Sequence, residues 1–66
     1  MKNKNIFPFI NKNVTVFTIW DTIIAGKITE VQGNFVTILE NESETTIKGF
    51  NIRKIKERDT QNIGMK

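Results

Sequence analysis

The 66-residue chain contains neither cysteine nor histidine. Without cysteine there is no disulfide staple and no thiolate metal site, and without histidine the usual general base and the commonest neutral metal ligand are both missing. The cysteine count leaves the compartment open, though a reducing cytoplasm fits it. No apolar run approaches the roughly 18 residues of a membrane span, and the N-terminal segment MKNKNIFPFINKN lacks the apolar core of a signal peptide. A soluble, cytoplasmic protein without a membrane partner is the expectation. Internal repeats and low-complexity tracts are absent, as are EF-hand spacing and a glycine-rich loop opening a helix. Thr45 and Thr46 have no activating base beside them in the sequence. Glu40, Glu42 and Glu44 alternate with Asn41 and Ser43, the composition of a solvated hairpin tip and not of a cation cage. No constellation supports catalysis, so the chain is read as a non-enzyme with no metal, no cofactor and no small-molecule substrate.

What is present is short. A chain of 66 residues holds one domain with a modest core, so burial between copies becomes an attractive source of further stability. Ten basic residues against seven acidic ones give a formal charge of +3 and a sequence pI near 9.5. A balance of this size permits an anionic partner but is also ordinary for a small domain. Its distribution says more: Lys48, Arg53, Lys54, Lys56 and Arg58 place half of the basic residues in one region near the C-terminus.

The middle of the chain reads as β-structure. Val14 to Trp20 (VTVFTIW) is rich in β-branched and aromatic residues and alternates in character, which predicts a first strand. Asp21 and Thr22 offer a turn. A second run, Ile23 to Val31, has Gly26 in its interior, where glycine marks a bulge, a sharp bend or a close backbone approach. After Gln32-Gly33-Asn34 comes Phe35 to Leu39, with apolar residues on both sides, a pattern predicting burial of both faces. The acidic tip Glu40 to Glu44 leads into a fourth strand, Thr45 to Lys48, and Gly49-Phe50-Asn51 separates this from a last one, Ile52 to Lys56. A regular strand there would put Arg53 and Lys54 on opposite faces. Five short strands with tight turns predict an all-β small barrel, since closure removes exposed edges.

The ends differ. In the lead, residues 1–13, Pro8 fits the first turn of a short helix over Phe9, Ile10 and Asn11. The barrel domain is placed at residues 14–56. The polar stretch 57–66 has no periodicity and is expected to be a flexible tail.

These residues, in this order, resemble the Sm-like family and its bacterial Hfq branch. Pro8-Phe9-Ile10-Asn11 is similar to the Pro-Phe-Leu-Asn that opens the Hfq helix, Val14-Thr15-Val16-Phe17 to its first strand, and Phe35-Val36-Thr37-Ile38-Leu39-Glu40-Asn41 to its third. Gly26 followed by Ile28 fits the pattern of the second strand. Ile47-Lys48-Gly49-Phe50-Asn51-Ile52 resembles the turn before the last strand of archaeal and eukaryotic Sm proteins. The resemblance spans roughly residues 8–55 and implies a five-stranded, strongly bent SH3-like or Sm-like small barrel in a homo-oligomeric ring that binds single-stranded RNA, with a base-stacking aromatic fixed by a cation or amide. The departures are specific: the Hfq signature histidine is missing, Ile23 and Ala25 stand where lysine and glutamine accompany the adenine-stacking aromatic, Gln32 replaces an aspartate, and the helix is shorter. A competing resemblance, through the spacing of Gly26, Ile28, Val31, Asn34, Phe35 and Val36, is to uncharacterised short SH3-like proteins of spore-forming Firmicutes.

Three functions follow. The first is a ring in which strand four of one copy pairs with strand five of the next and RNA contacts Phe17, Asn34, Phe35, Lys48, Arg53 and Lys54. The second is a structural or protein-interaction barrel, for instance spore- or phage-associated, with Trp20 and Phe50 as apolar interface anchors. The third is an adaptor working by β-strand addition.

Overall fold

The β-branched and aromatic runs become five antiparallel strands in a computed structural model that describes residues 1–58. A short helix α1 (Asn3–Ile6) and a 3-10 turn (Phe7–Phe9) precede β1 (Asn13–Thr18), β2 (Ile23–Gln32), β3 (Phe35–Glu40) and β4 (Ser43–Lys48). A second 3-10 turn, Gly49–Asn51, then leads into β5 (Ile52–Glu57). The strands form one sheet in the order β4-β3-β2-β1-β5. The all-β, five-stranded reading is thus what the chain adopts. Closure of the sheet by backbone pairing is not observed among the described residues, because β4 and β5 are its two edges.

The bend lies in β2. Its first half pairs with β1, from Phe17↔Ile23 to Asn13↔Lys27, and its second half with β3, from Lys27↔Leu39 to Gln32↔Phe35. Gly26 stands at this handover. A Cβ there would lie 2.5 Å from the Leu39 carbonyl oxygen and 2.9 Å from Cγ2 of Ile38, so only glycine lets the β3 backbone pass. A bulge between Ile28 and Glu30 follows directly.

The inner surface carries Val14, Val16, Ile28, Val36 and Ile38, all fully buried, closed at one end by Ile6 of α1 and along β5 by Ile52 and Ile55. Each side chain so buried contributes about 1.5–3 kcal/mol relative to exposure. β3 departs from the two-faced expectation. Val36 and Ile38 face the core, whereas Phe35, on the outer surface of the sheet, is 49% exposed because the described residues cover it only in part.

The lead also differs from its sequence expectation. Helix forms earlier, at Asn3–Ile6, while Ile10 is extended and forms a parallel bridge to Ile28. Asn11 turns left-handed at φ 69°, its N–H donating to the Ile28 carbonyl at 2.6 Å, and the Ile28 N–H donates to Lys12 O at 3.3 Å. Backbone groups beside the bulge need partners, and residues 11–12 supply them in place of a helical turn. The Met1 amino group donates to the carbonyls of Gly49 and Ile52 at 2.9 Å each, and the Asn3 side-chain amide donates to Gly33 O, so α1 is held against the β2–β3 and β4–β5 connections.

In β5, Ile52 and Ile55 are both buried although three residues apart. A register shift reconciles this: Lys54 pairs with Phe17 and Ile52 with Thr18, leaving Arg53 as the extra residue. The expectation that Arg53 and Lys54 sit on opposite faces of a regular strand is therefore corrected, since the bulge leaves both exposed. At the C-terminal end, Glu57 completes β5 and the Arg58 N–H donates to Asn13 O at 2.8 Å, so residues 57 and 58 belong to the sheet and not to the predicted tail. The rest of that tail, residues 59–66, lies outside the described residues. No helix among the described residues is long and apolar enough to cross a membrane.

Candidate nucleic-acid interface

Three connections converge at one end of the sheet. The Gly49 N–H donates to Asn34 O at 2.8 Å, tying the β4–β5 turn to the β2–β3 turn, and the Ile19 N–H donates to Asn51 O at 3.0 Å, tying the β1–β2 turn to it as well. Each connection brings an aromatic ring or an amide: Trp20 from the first, Asn34 and the start of β3 at Phe35 from the second, Phe50 and Asn51 from the third.

The β1–β2 turn is fixed from within. Thr18 is buried, and its hydroxyl lies 2.5 Å from the Thr22 hydroxyl while accepting the backbone N–H groups of Trp20 (3.3 Å) and Thr22 (3.2 Å). This hydroxyl stands in for a partner strand. Asp21 completes the reversal at φ 65°. β1 therefore ends two residues earlier than its apolar run predicts, and Trp20 is left 60% exposed.

The result is an open groove of about 360 Å³, lined by the rings of Trp20, Phe35 and Phe50 together with Thr46, Ile47, Lys48 and Asn51. Phe35 and Lys48 are directly opposed in the β3–β4 register. The Lys48 ammonium stands 5.6 Å from the centroid of the Phe50 ring, within cation–π range. A second concavity of about 290 Å³ shares Phe50 and is otherwise lined by Met1, Lys2, Asn3 and Asn34. Neither concavity has a carboxylate in its lining, and each carries a lysine.

Of the residues singled out in the sequence, Asn34, Phe35 and Lys48 come together here, and Trp20 and Phe50, assigned there to an interface, line the same groove. Phe17, Lys54 and Arg53 do not join them. Phe17 lies on the outer face of β1 between Ile23 and Lys54, and the Lys54 ammonium is 5.8 Å from its ring centroid. Arg53 reaches Asp21 in an exposed ion pair of 3.8 Å, an interaction of little energetic weight. Lys2, Asn3 and Asn51 are among the lining residues that sequence reasoning missed, as are Met1, Thr46 and Ile47. Asn51 had a signal in its neighbour Phe50, but nothing along the chain brings residues 2 and 3 to the β4–β5 turn.

The chemistry this arrangement offers is flat apolar surface, amide donors and acceptors, and positive charge with no carboxylate in either lining. Comparison with protein families, with curated proteins and with solved structures gives no match to this chain.

Proposed function

We propose that this protein is a non-catalytic, Sm-like RNA-binding protein that assembles head to tail into a homo-oligomeric ring, its single-stranded RNA lying against Phe35, Lys48 and Asn34. The observation that carries the reading is the convergence of these three residues at one end of a sheet whose two edge strands, β4 and β5, have no outer partner among the described residues. Unpaired edges invite strand addition, and pairing β4 of one copy with β5 of the next satisfies both. Exposed rings next to lysines suit unstacked bases joined by phosphates. The resemblance to the Sm-like family agrees with this ligand, and on this reading the protein works in the bacterial cytoplasm. Phe17, with Lys54 over its ring, serves as a separate stacking position on the outer sheet face.

A second reading, a structural or protein-interaction domain, draws on the exposure of Ile19, Trp20, Ile23 and Phe50, which are large apolar side chains suited to a protein interface.

The test combines light scattering with titration of fluorescently labelled U-rich and A-rich RNA at two salt concentrations. The expected outcome is a mass of several subunits and binding that weakens as salt rises. Lys48→Ala is expected to weaken the U-rich RNA and Phe17→Ala the A-rich RNA, the latter by about 1–3 kcal/mol per stacked base. A monomer indifferent to both RNAs removes this proposal in favour of the second reading.

A further inference from the structure

The two concavities have Phe50 in common, and their linings share no other residue. Phe50 is 62% exposed on a turn held by backbone bonds to both neighbouring connections. On one side stand Trp20, Phe35 and Lys48; on the other stand Lys2, Asn3 and Asn34. At about 360 and 290 Å³, the two spaces lie near the lower end of the ~300–1,000 Å³ range of small-molecule clefts, which suits one flat group apiece.

We propose that Phe50 is a divider between two successive bases, so that each subunit binds a dinucleotide step of single-stranded RNA. One base stacks among Trp20, Phe35 and Phe50, the next presents its edge to the amides of Asn3 and Asn34, and the intervening phosphate passes near Lys48. This rests on the RNA-binding reading and deepens it, moving Trp20 and Phe50 from apolar anchors to ligand contacts.

Charge and polarity favour nucleic acid over a second copy as the occupant. The linings contain two lysines, four amide or hydroxyl side chains and no acid, and Lys48 forms no ion pair among the described residues. An apolar protein anchor offers nothing to the Asn34 and Asn51 amides, the Asn3 side-chain oxygen or the lysine ammonium groups, whereas base edges and phosphate do. Stacking tolerates any base, while amides discriminate by edge. Preference is therefore expected to be sharper at the Asn3–Asn34 position.

Trp20 is the only tryptophan in the chain, so its emission reports occupancy of the groove without a label. The full chain, at fixed concentration, is titrated with UMP, with the dinucleotide UpU and with labelled U-rich RNA. UpU is expected to quench Trp20 and to bind at least about tenfold more tightly than UMP. Phe50→Ala is expected to weaken UpU at least about fivefold, the lower end of a stacking loss. Phe7→Ala, another exposed phenylalanine outside both concavities, is the control and leaves UpU binding unchanged; circular dichroism verifies that both variants fold. Binding of labelled RNA with constant Trp20 emission and unaltered affinity in Phe50→Ala overturns the dinucleotide step but spares RNA binding. Equal affinities for UMP and UpU overturn it likewise. Emission that ignores RNA but changes in a dilution series of the protein alone assigns the groove to a second copy, and no binding of any RNA overturns both readings.

Discussion

Gly26 is the residue on which the bend depends. Its place in β2 has no room for a side chain because the Leu39 carbonyl and the Ile38 methyl already occupy it. Gly26→Ala forces the β2–β3 ladder apart, at an expected cost of about 1–3 kcal/mol. Thermal unfolding followed by circular dichroism checks this, since each kcal/mol moves the midpoint of a domain this small by about 4–8 °C. Gly33→Ala meets a different obstacle. Its surroundings are open but its backbone sits at φ 59°, so the penalty there comes from conformation alone. That Gly26 marks a special backbone position was legible from its isolation in a β-branched run. Which of bulge, bend or close approach it serves was not, because the atoms it must avoid belong to residues 38 and 39.

Among the elements, the connections carry the site and the strands hold them in place. The β1–β2 turn presents Trp20 through a buried hydroxyl, and Thr18→Val keeps the shape while removing the acceptor for two backbone N–H groups. Leaving such groups unpaired costs about 1–3 kcal/mol. A lowered urea midpoint with an unchanged slope is the expected measurement, accompanied by altered Trp20 emission in the folded protein. Strand existence was readable throughout, because β-branched and aromatic runs separated by glycine and asparagine have few other solutions. Strand ends and faces were less so. The acidic tip shrinks to Asn41-Glu42, with Asn41 at φ 53°, as Glu40 and Ser43 pair with each other. The bulge at Arg53 likewise reflects the need to bury both Ile52 and Ile55, a demand of the core that local alternation does not contain.

For the whole molecule, charge is divided between the two open edges. β4 carries Glu44 and, at its far end, Lys48, with Glu42 at the tip before it, while β5 carries Arg53, Lys54 and Lys56 and ends on Glu57. Glu44 and Thr46 share the outer face with Leu39 and Thr37, as Lys54 and Lys56 share it with Phe17 and Thr15. Antiparallel addition of β5 to a neighbour's β4 with Lys56 opposite Glu44 keeps outer face on outer face and sets Thr46 opposite Lys54. Sliding by two residues one way brings Lys48 against Lys54, which like-charge repulsion disfavours, while sliding the other way sets Lys54 opposite Glu44 and takes Lys56 past the end of β4 to Glu42 in the tip. On the ring proposal, Glu44→Lys and Lys56→Glu each reduce the assembled mass seen by light scattering, and the double reversal restores it; loss without restoration refutes this register. Legible along the chain were the strand-forming runs, the small all-β class and most of the aromatic and basic residues that line the groove, because β-propensity and side-chain chemistry are local properties. The meeting of Trp20, Phe50, Lys48 and Asn3 at one end, the extra residue in β5 and the pair of unpaired edges required the folded chain, since long-range packing and backbone hydrogen bonding choose them between segments far apart in sequence.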